Sequence, residues 1–176
     1  MSRDLMLDLE RITREQALER ARRSRSYRHS RQAGYPCRVV AVTPCGELEP
    51  DLEVVGESGN YTDAVALGCA KVYARSRFDT VAALVLVAEG NAAPNGDTRP
   101  SEHSERVGVA LAVAVTLEPH PRFRSCVVSA ETLEVVDGDD DPTSGGGRLV
   151  EVLEKAALAA EPLRATRRSL GIDAEG

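Results

Sequence analysis

Hydrophobic residues fall in two long, almost uninterrupted runs in the middle of the chain. The first covers residues 81–88, reading VAALVLVA, and the second covers residues 107–117, reading VGVALAVAVTL. Runs of this length, rich in Val and Leu, are typical of strands buried on both faces of a sheet. The pattern therefore predicts two central strands joined by the polar segment between them.

A hairpin is predicted before these runs. Residues 37–43, reading CRVVAVT, are predicted to form a strand, and Thr43-Pro-Cys-Gly46 fits a type I turn with Pro at its second position. A return strand follows over residues 47–55, where Pro50 indicates an edge strand or a bulge. Two further strands, over residues 123–130 and a short one over 133–136, are predicted after the second apolar run.

Helical spacing marks three other segments. Leu5, Leu9 and Ile12 recur on one helical face, and Thr13-Arg-Glu-Gln16 matches a capping box, which predicts a helix over about 13–24. Further helices are predicted over about 62–77 and about 146–161. This order of elements predicts an α+β fold, with a single largely antiparallel sheet of about five or six strands and helices packed on one face.

Length and composition suit one soluble globular domain of 176 residues. We expect an N-terminal helix and Arg-rich arm over residues 1–34, an α+β core domain over 35–162 and a flexible tail over 163–176. Aromatic residues make up only 3% and Trp is absent. The composition therefore argues against an aromatic platform that stacks sugars or bases.

Positive charge is concentrated in residues 20–32, reading RARRSRSYRHSRQ. This stretch has six arginines and no acid in a chain of net charge −6, which leaves −12 on the rest. Such an arm is a candidate binding site for a protein partner or for a second copy of the chain, and alternatively for nucleic acid. The candidate residues are Arg20, Arg22, Arg23, Arg25, Arg28 and Arg31.

The polar segment between the two apolar runs is a second candidate binding site. Its charged residues cluster at the end of one predicted strand and the start of the next, and they are Glu89, Arg99, Glu102, His103, Glu105 and Arg106. A carboxylate beside His and Arg side chains could perform acid–base chemistry or bind an anion. The sequence offers no nucleophile or second fixed acid beside them, so it favours binding and predicts no catalytic residue.

The same segment carries a resemblance. Val87-Ala-Glu-Gly90, followed by Arg99-Pro-Ser-Glu-His-Ser-Glu-Arg106, resembles a signature of short uncharacterised bacterial and phage proteins. In those proteins a hydrophobic strand ends in Ser-Glu-Ala-Trp and a loop reads Pro-Ser-Glu-His-Pro-Asp-Arg. The matching positions are Glu89, Pro100, Ser101, Glu102, His103 and Arg106, and the departures are Asn91, Ser104 and Glu105. The resemblance implies a prokaryotic or phage source and no particular activity.

No metal or cofactor site is predicted. The four cysteines, Cys37, Cys45, Cys69 and Cys126, form no Cys-x-x-Cys pair and are expected to be reduced thiols. The acidic residues Asp137, Asp139 and Asp141 lack the Gly and Glu that a calcium loop needs. With no export signal and no apolar run long enough to span a bilayer, we expect a cytoplasmic protein, or a virion protein if phage-encoded, without a membrane partner.

These patterns favour a non-enzymatic binding or assembly protein of prokaryotic or phage origin. It would self-associate as a homo-oligomer or dock on a protein partner. Two alternatives stay open: a small enzyme with an acid–base site around Glu89, Glu102 and His103, or a nucleic-acid binder that uses the Arg-rich arm.

Overall fold

The computed structural model describes residues 4–28, 38–55, 81–92, 107–118, 120–136 and 169–170. These residues form one helix and five strands, namely α1 (Leu5–Arg28), β1 (Arg38–Val42), β2 (Leu48–Val55), β3 (Ala83–Ala92), β4 (Val107–Thr116) and β5 (Phe123–Ser129). All neighbouring strands are antiparallel, in the order β2-β1-β3-β4-β5. The predicted single antiparallel sheet is therefore confirmed, with five strands in the described part of the chain. The helices predicted over 62–77 and 146–161 lie outside the described residues.

Strands β3 and β4 form the centre of the sheet, as the two apolar runs predict. Residues 83–88 and 108–117 are all buried, although their side chains alternate between the two faces of the sheet. Strand β3 differs from its prediction at one end, because it continues through Glu89 and Gly90 to Ala92. Its ladder with β4 continues over these polar residues, so that Glu89 lies inside the strand opposite Ala110.

Helix α1 packs on one face of this sheet. The helix contributes Met6, Leu9, Ile12, Ala17 and Ala21 to a core shared with Val85, Val87, Ala110, Ala112, Ala114, Cys126 and Val128 of the sheet. The residues of β4 in this core are thus alanines. Their small side chains leave room for the larger side chains of Met6, Leu9 and Ile12 on the helix. One helix on one antiparallel sheet agrees with the coarse α+β prediction.

The helix begins earlier than predicted. Asp4 accepts a hydrogen bond from the backbone N–H of Met6 at 3.0 Å and so acts as the N-cap. Thr13, the predicted cap, lies inside the helix, and its hydroxyl donates to the carbonyl of Leu9 at 2.9 Å. The prediction of a start at Thr13 is wrong because a threonine that bonds to the preceding turn fits a helix interior as well as a cap.

The helix also ends later than predicted. It continues past Ser24 to Arg28, while residues 29–37 lie outside the described residues. Five of the six arginines of the predicted arm therefore belong to a helix whose apolar face is part of the core. The predicted domain boundary between residues 34 and 35 and the predicted tail over 163–176 stay predictions.

The β1–β2 hairpin confirms the turn and edge predictions. The N–H of Gly46 donates to the carbonyl of Thr43 at 2.9 Å, β2 is the edge strand, and the register shifts opposite Val39 and Ala41. Gly46 has φ of 74°, and a Cβ there would lie 2.3 Å from Oδ2 of Asp8 in α1. The turn therefore needs glycine both for its backbone and for its contact with the helix.

We expect Gly46→Ala to lower the free energy of unfolding by about 1–2 kcal/mol, because an L side chain is strained at this φ. Urea unfolding followed by circular dichroism measures the change. Gly90→Ala is the matched control, since a Cβ at Gly90 would meet Leu111 Cδ2 at 3.7 Å, an ordinary contact. Equal stability losses in the two variants would contradict the explanation.

The turn between β4 and β5 contains a local ion pair. Arg122 donates from Nε and Nη2 to the two carboxylate oxygens of Glu118, at 3.0 Å each, and Thr116 donates to the same carboxylate at 3.1 Å. The hydrogen bond from Arg122 holds the pKa of Glu118 below its ordinary value of 4.5, with a further contribution from Thr116. A lowered pKa means that the folded state favours the ionised carboxylate.

Glu118 therefore contributes stability that is present above pH 4.5 and is lost as the pH falls through its folded-state pKa. Because the pair is largely exposed, we expect Glu118→Gln to cost only about 0.2–1 kcal/mol at neutral pH. The cost should shrink as the solution is acidified. Urea unfolding at a series of pH values checks this, with Glu10→Gln at an exposed site of α1 as the control. A cost that grows below pH 4.5 would contradict the assignment.

Candidate functional site

The buried face of helix α1 changes from apolar to polar toward its C-terminal end. Its buried polar residues include Thr13, Gln16, Arg20 and Ser24. They follow one another at intervals of three or four residues, which places them in line with Leu9 on one helical face. This face lies against the sheet, so the polar residues meet the sheet where β3 leaves its apolar run.

Glu89 is the residue of β3 that meets them. Because side chains alternate along a strand, Glu89 points to the same face as the core residue Val87, toward the helix. Its Oε1 lies 3.0 Å from Nε of Arg20 and also accepts a hydrogen bond from the hydroxyl of Ser24. The Arg20 side chain is 7% exposed and that of Glu89 is 28% exposed. The carboxylate thus compensates a guanidinium that has been removed from water.

A second polar contact joins the helix to the neighbouring strand. Arg38 begins β1 opposite Val87, and its Nη2 donates to Oε1 of Gln16. Arg38 and Glu89 therefore lie on the same face of adjacent strands. The cluster of Gln16, Arg20, Ser24, Arg38 and Glu89 is hereafter called the helix–sheet cluster. Its contacts fix the position of the helix on the sheet.

The structure thus brings together residues that the sequence assigned to two different sites. Glu89 was predicted with the polar segment and Arg20 with the Arg-rich arm, yet they form one ion pair. The remaining candidates of the polar segment, Arg99, Glu102, His103, Glu105 and Arg106, lie outside the described residues, and so does Arg31. Their part in a binding site stays a prediction.

Three members of the helix–sheet cluster, Gln16, Ser24 and Arg38, were not singled out from the sequence. A signal for two of them was present in the sequence. Leu9 and Ile12 define one face of the helix, and Gln16, Arg20 and Ser24 lie on the same face because they follow Ile12 at intervals of four residues. Arg38 had no such signal, because its partner comes from a different element.

Other arginines of the predicted arm differ from Arg20 in their exposure to solvent. Arg22, Arg23 and Arg25 are exposed, and Arg23 forms an ion pair with Glu19 at 2.5 Å. Arg22 and Arg25 are three residues apart and lie on the side of the helix away from the sheet. The helix therefore presents Arg22 and Arg25 in a defined arrangement near its C-terminal end.

Other site chemistry is limited in the described ranges. They contain no group of three His, Cys, Asp or Glu side chains that could hold a metal ion, and no helix long and apolar enough to cross a membrane. Cys45 is exposed and Cys126 is buried, and neither forms a disulfide. Cys37 and Cys69 lie outside the described residues.

No protein-family model, no curated protein and no solved structure matches the chain. The function must therefore be inferred from the residues and from their contacts.

We expect Glu89→Gln to lower the free energy of unfolding by about 1–3 kcal/mol, because it removes the negative charge that lies 3.0 Å from the buried guanidinium of Arg20. Arg20→Met combined with Glu89→Gln should cost less than the two single changes added together, with a coupling energy of about 0.5–3 kcal/mol. Urea unfolding of all four proteins measures this coupling.

Arg14→Met is the matched control for the loss of an arginine from α1. Arg14 is exposed, so its replacement should change the free energy of unfolding by no more than about 0.5 kcal/mol. Strict additivity of the changes at Arg20 and Glu89 would show that the ion pair does not hold the helix on the sheet.

Proposed function

We propose that this chain is a non-enzymatic binding or assembly protein of prokaryotic or phage origin, which self-associates or docks on a protein partner. The observation that carries the proposal is the exposure of Arg22 and Arg25 on one side of a helix whose other side is fixed to the sheet. Side chains presented by a rigid element lose less conformational freedom on binding than side chains of a mobile arm.

The contacts of Glu89 support a binding role over the enzymatic alternative. An acid–base catalyst must reach its substrate. Glu89 instead lies beside Arg20 and accepts a hydrogen bond from Ser24, in a contact between helix and sheet. The ion pair and the hydrogen bond give this carboxylate a role in holding the helix on the sheet. They therefore argue against Glu89 as the acid of an acid–base site.

The charge distribution supports a protein partner over nucleic acid. The chain has a net charge of −6, so its field repels a phosphate backbone outside the basic region. Arg11 and Arg23 form ion pairs with Glu15 and Glu19 of the same helix, and the exposed side chains of Arg22 and Arg25 lie near the end of that helix. A short basic surface on an acidic protein suits an acidic protein surface of similar size.

The proposed origin rests on the resemblance of the 87–106 segment to bacterial and phage proteins. Glu89 is the matching residue that the structure describes, and its contact with Arg20 suggests why a carboxylate is needed at this strand position. The positions from Pro100 to Arg106 lie outside the described residues.

Sedimentation velocity over a wide range of protein concentrations tests the proposal. We expect a species heavier than the 18.9 kDa chain that dissociates on dilution and at high salt, because exposed charges are screened. Fluorescence anisotropy with single- and double-stranded oligonucleotides at physiological salt should show no binding. A monomer under all conditions that binds oligonucleotides with a steep salt dependence would overturn the proposal in favour of a nucleic-acid binder.

A further inference from the structure

We propose that the edge of the sheet beside β5 binds an extended, basic segment of a partner protein, which adds to the sheet as a further strand. The site consists of residues 134–136, here called the edge segment. This inference rests on the proposed function and deepens it, since it names a docking surface and the chemistry of the segment that docks there.

The edge segment continues the sheet beyond β5. Val135 forms an antiparallel bridge with that strand. The N–H of Ser129 donates to the carbonyl of Glu134 at 2.9 Å. The N–H of Val136 donates to the carbonyl of Val127, also at 2.9 Å. The edge segment is therefore attached to β5 through the two residues on either side of Val135.

The backbone of Val135 is open on its outer side. In an antiparallel pair, a residue whose two neighbours make the hydrogen bonds has its own N–H and C=O on the opposite edge. Both groups of Val135 therefore point away from β5, and among the described residues neither has a hydrogen-bond partner. A strand beside the edge segment could exchange both hydrogen bonds with Val135, as directly opposite residues do in an antiparallel ladder.

The side chains of the edge segment are also accessible. Val135 and Val136 are 45% and 46% exposed, and Glu134 is exposed as well. Because side chains alternate along an extended chain, Val135 points to one face of the sheet, and Glu134 and Val136 point to the other. An added strand would therefore cover a valine on each face and would place one side chain opposite Glu134.

The turn that leads into the edge segment holds it in place. The hydroxyl of Ser129 accepts hydrogen bonds from the N–H groups of Glu131 and Thr132, at 3.2 Å each. The N–H of Leu133 donates to the carbonyl of Ser129 at 2.9 Å, and the Leu133 side chain packs against the core. The edge is therefore formed before a partner binds, which lowers the entropy lost on binding.

Charge decides which kind of strand fits this edge. Glu134 lies in the edge segment, and the chain continues from Val136 into Asp137-Gly-Asp-Asp-Asp141. The same edge of a second copy would meet this acidic sequence with like charges, which disfavour association. A segment with Lys or Arg opposite Glu134 would instead form a cross-strand pair of opposite charge. Complementarity therefore favours a basic segment of another protein, with an aliphatic residue opposite Val135.

Binding of fluorescent peptides tests this inference. The probe is a short peptide of alternating lysine and valine, which can form a strand with one basic and one aliphatic face. The comparison probes are the same peptide with methylated backbone nitrogens and a peptide in which glutamate replaces lysine. We expect fluorescence anisotropy to show that the first peptide binds at least about tenfold more tightly than either of the others. Methylation removes the backbone hydrogen bonds, and glutamate reverses the charge.

Two variants of the edge segment locate the binding. Val135→Pro removes the open N–H but leaves the carbonyl of Glu134 and the N–H of Val136 in place, and proline is tolerated at a sheet edge. We expect it to raise the dissociation constant of the lysine peptide at least about fivefold, since one hydrogen bond is lost and the ring obstructs an added strand. Glu134→Lys should have an effect of about the same size, because it places like charges opposite one another.

Two variants of helix α1 provide the matched controls. Leu7→Ser replaces an apolar side chain that is 65% exposed, and Glu10→Lys makes the same change of charge at another exposed site. Both should change the dissociation constant by less than about twofold, because charges distant from the site are screened. Circular dichroism and thermal unfolding establish that each variant folds. If Val135→Pro does not fold, Glu134→Lys carries the test.

The outcomes separate this inference from the proposed function. Equal binding of the three peptides, or equal binding by the wild-type chain and the variants of the edge segment, would overturn the inference and leave the proposed function standing. Loss of self-association in Val135→Pro would assign the edge to a second copy and would also overturn the basic partner. A wild-type chain that is always monomeric and binds oligonucleotides would overturn the proposed function, whatever the peptides do.

Discussion

The position of helix α1 depends on how one buried charge is compensated. Arg20 lies on the helix face that packs against the sheet, where its side chain is 7% exposed. A guanidinium in such surroundings is costly unless a carboxylate and further polar groups replace water. Glu89 supplies the carboxylate from inside β3, while Ser24, Gln16 and Arg38 form hydrogen bonds around the same junction. The ion pair therefore fixes which part of the helix lies over which part of the sheet.

This arrangement divides one basic run of sequence into two roles. Arg20 stabilises the contact between helix and sheet, whereas Arg22 and Arg25 face away from it. The division follows from helical geometry, because residues two and five positions apart point to different sides of a helix. The exposed arginines consequently have a defined direction, set by the buried one.

The elements that could be predicted are those whose pattern is local. The apolar runs indicate β3 and β4, and Pro44, Gly46 and Pro50 indicate the hairpin and its edge strand, because these residues restrict their own backbone. The start of α1 could not be predicted from Thr13, since its hydroxyl serves equally well inside a helix. The helix–sheet cluster could not be predicted either. No spacing along the chain connects its members in α1 with Arg38 of β1 or Glu89 of β3.

By itself the sequence determined the buried central strands, the glycine turn and the concentration of arginines in residues 20–31. Each depends on residue type and near-neighbour spacing alone. Only the tertiary structure decided that Glu89 faces α1 and that it pairs with Arg20. Those facts depend on strand register and on the seating of the helix, which arise from packing between distant segments.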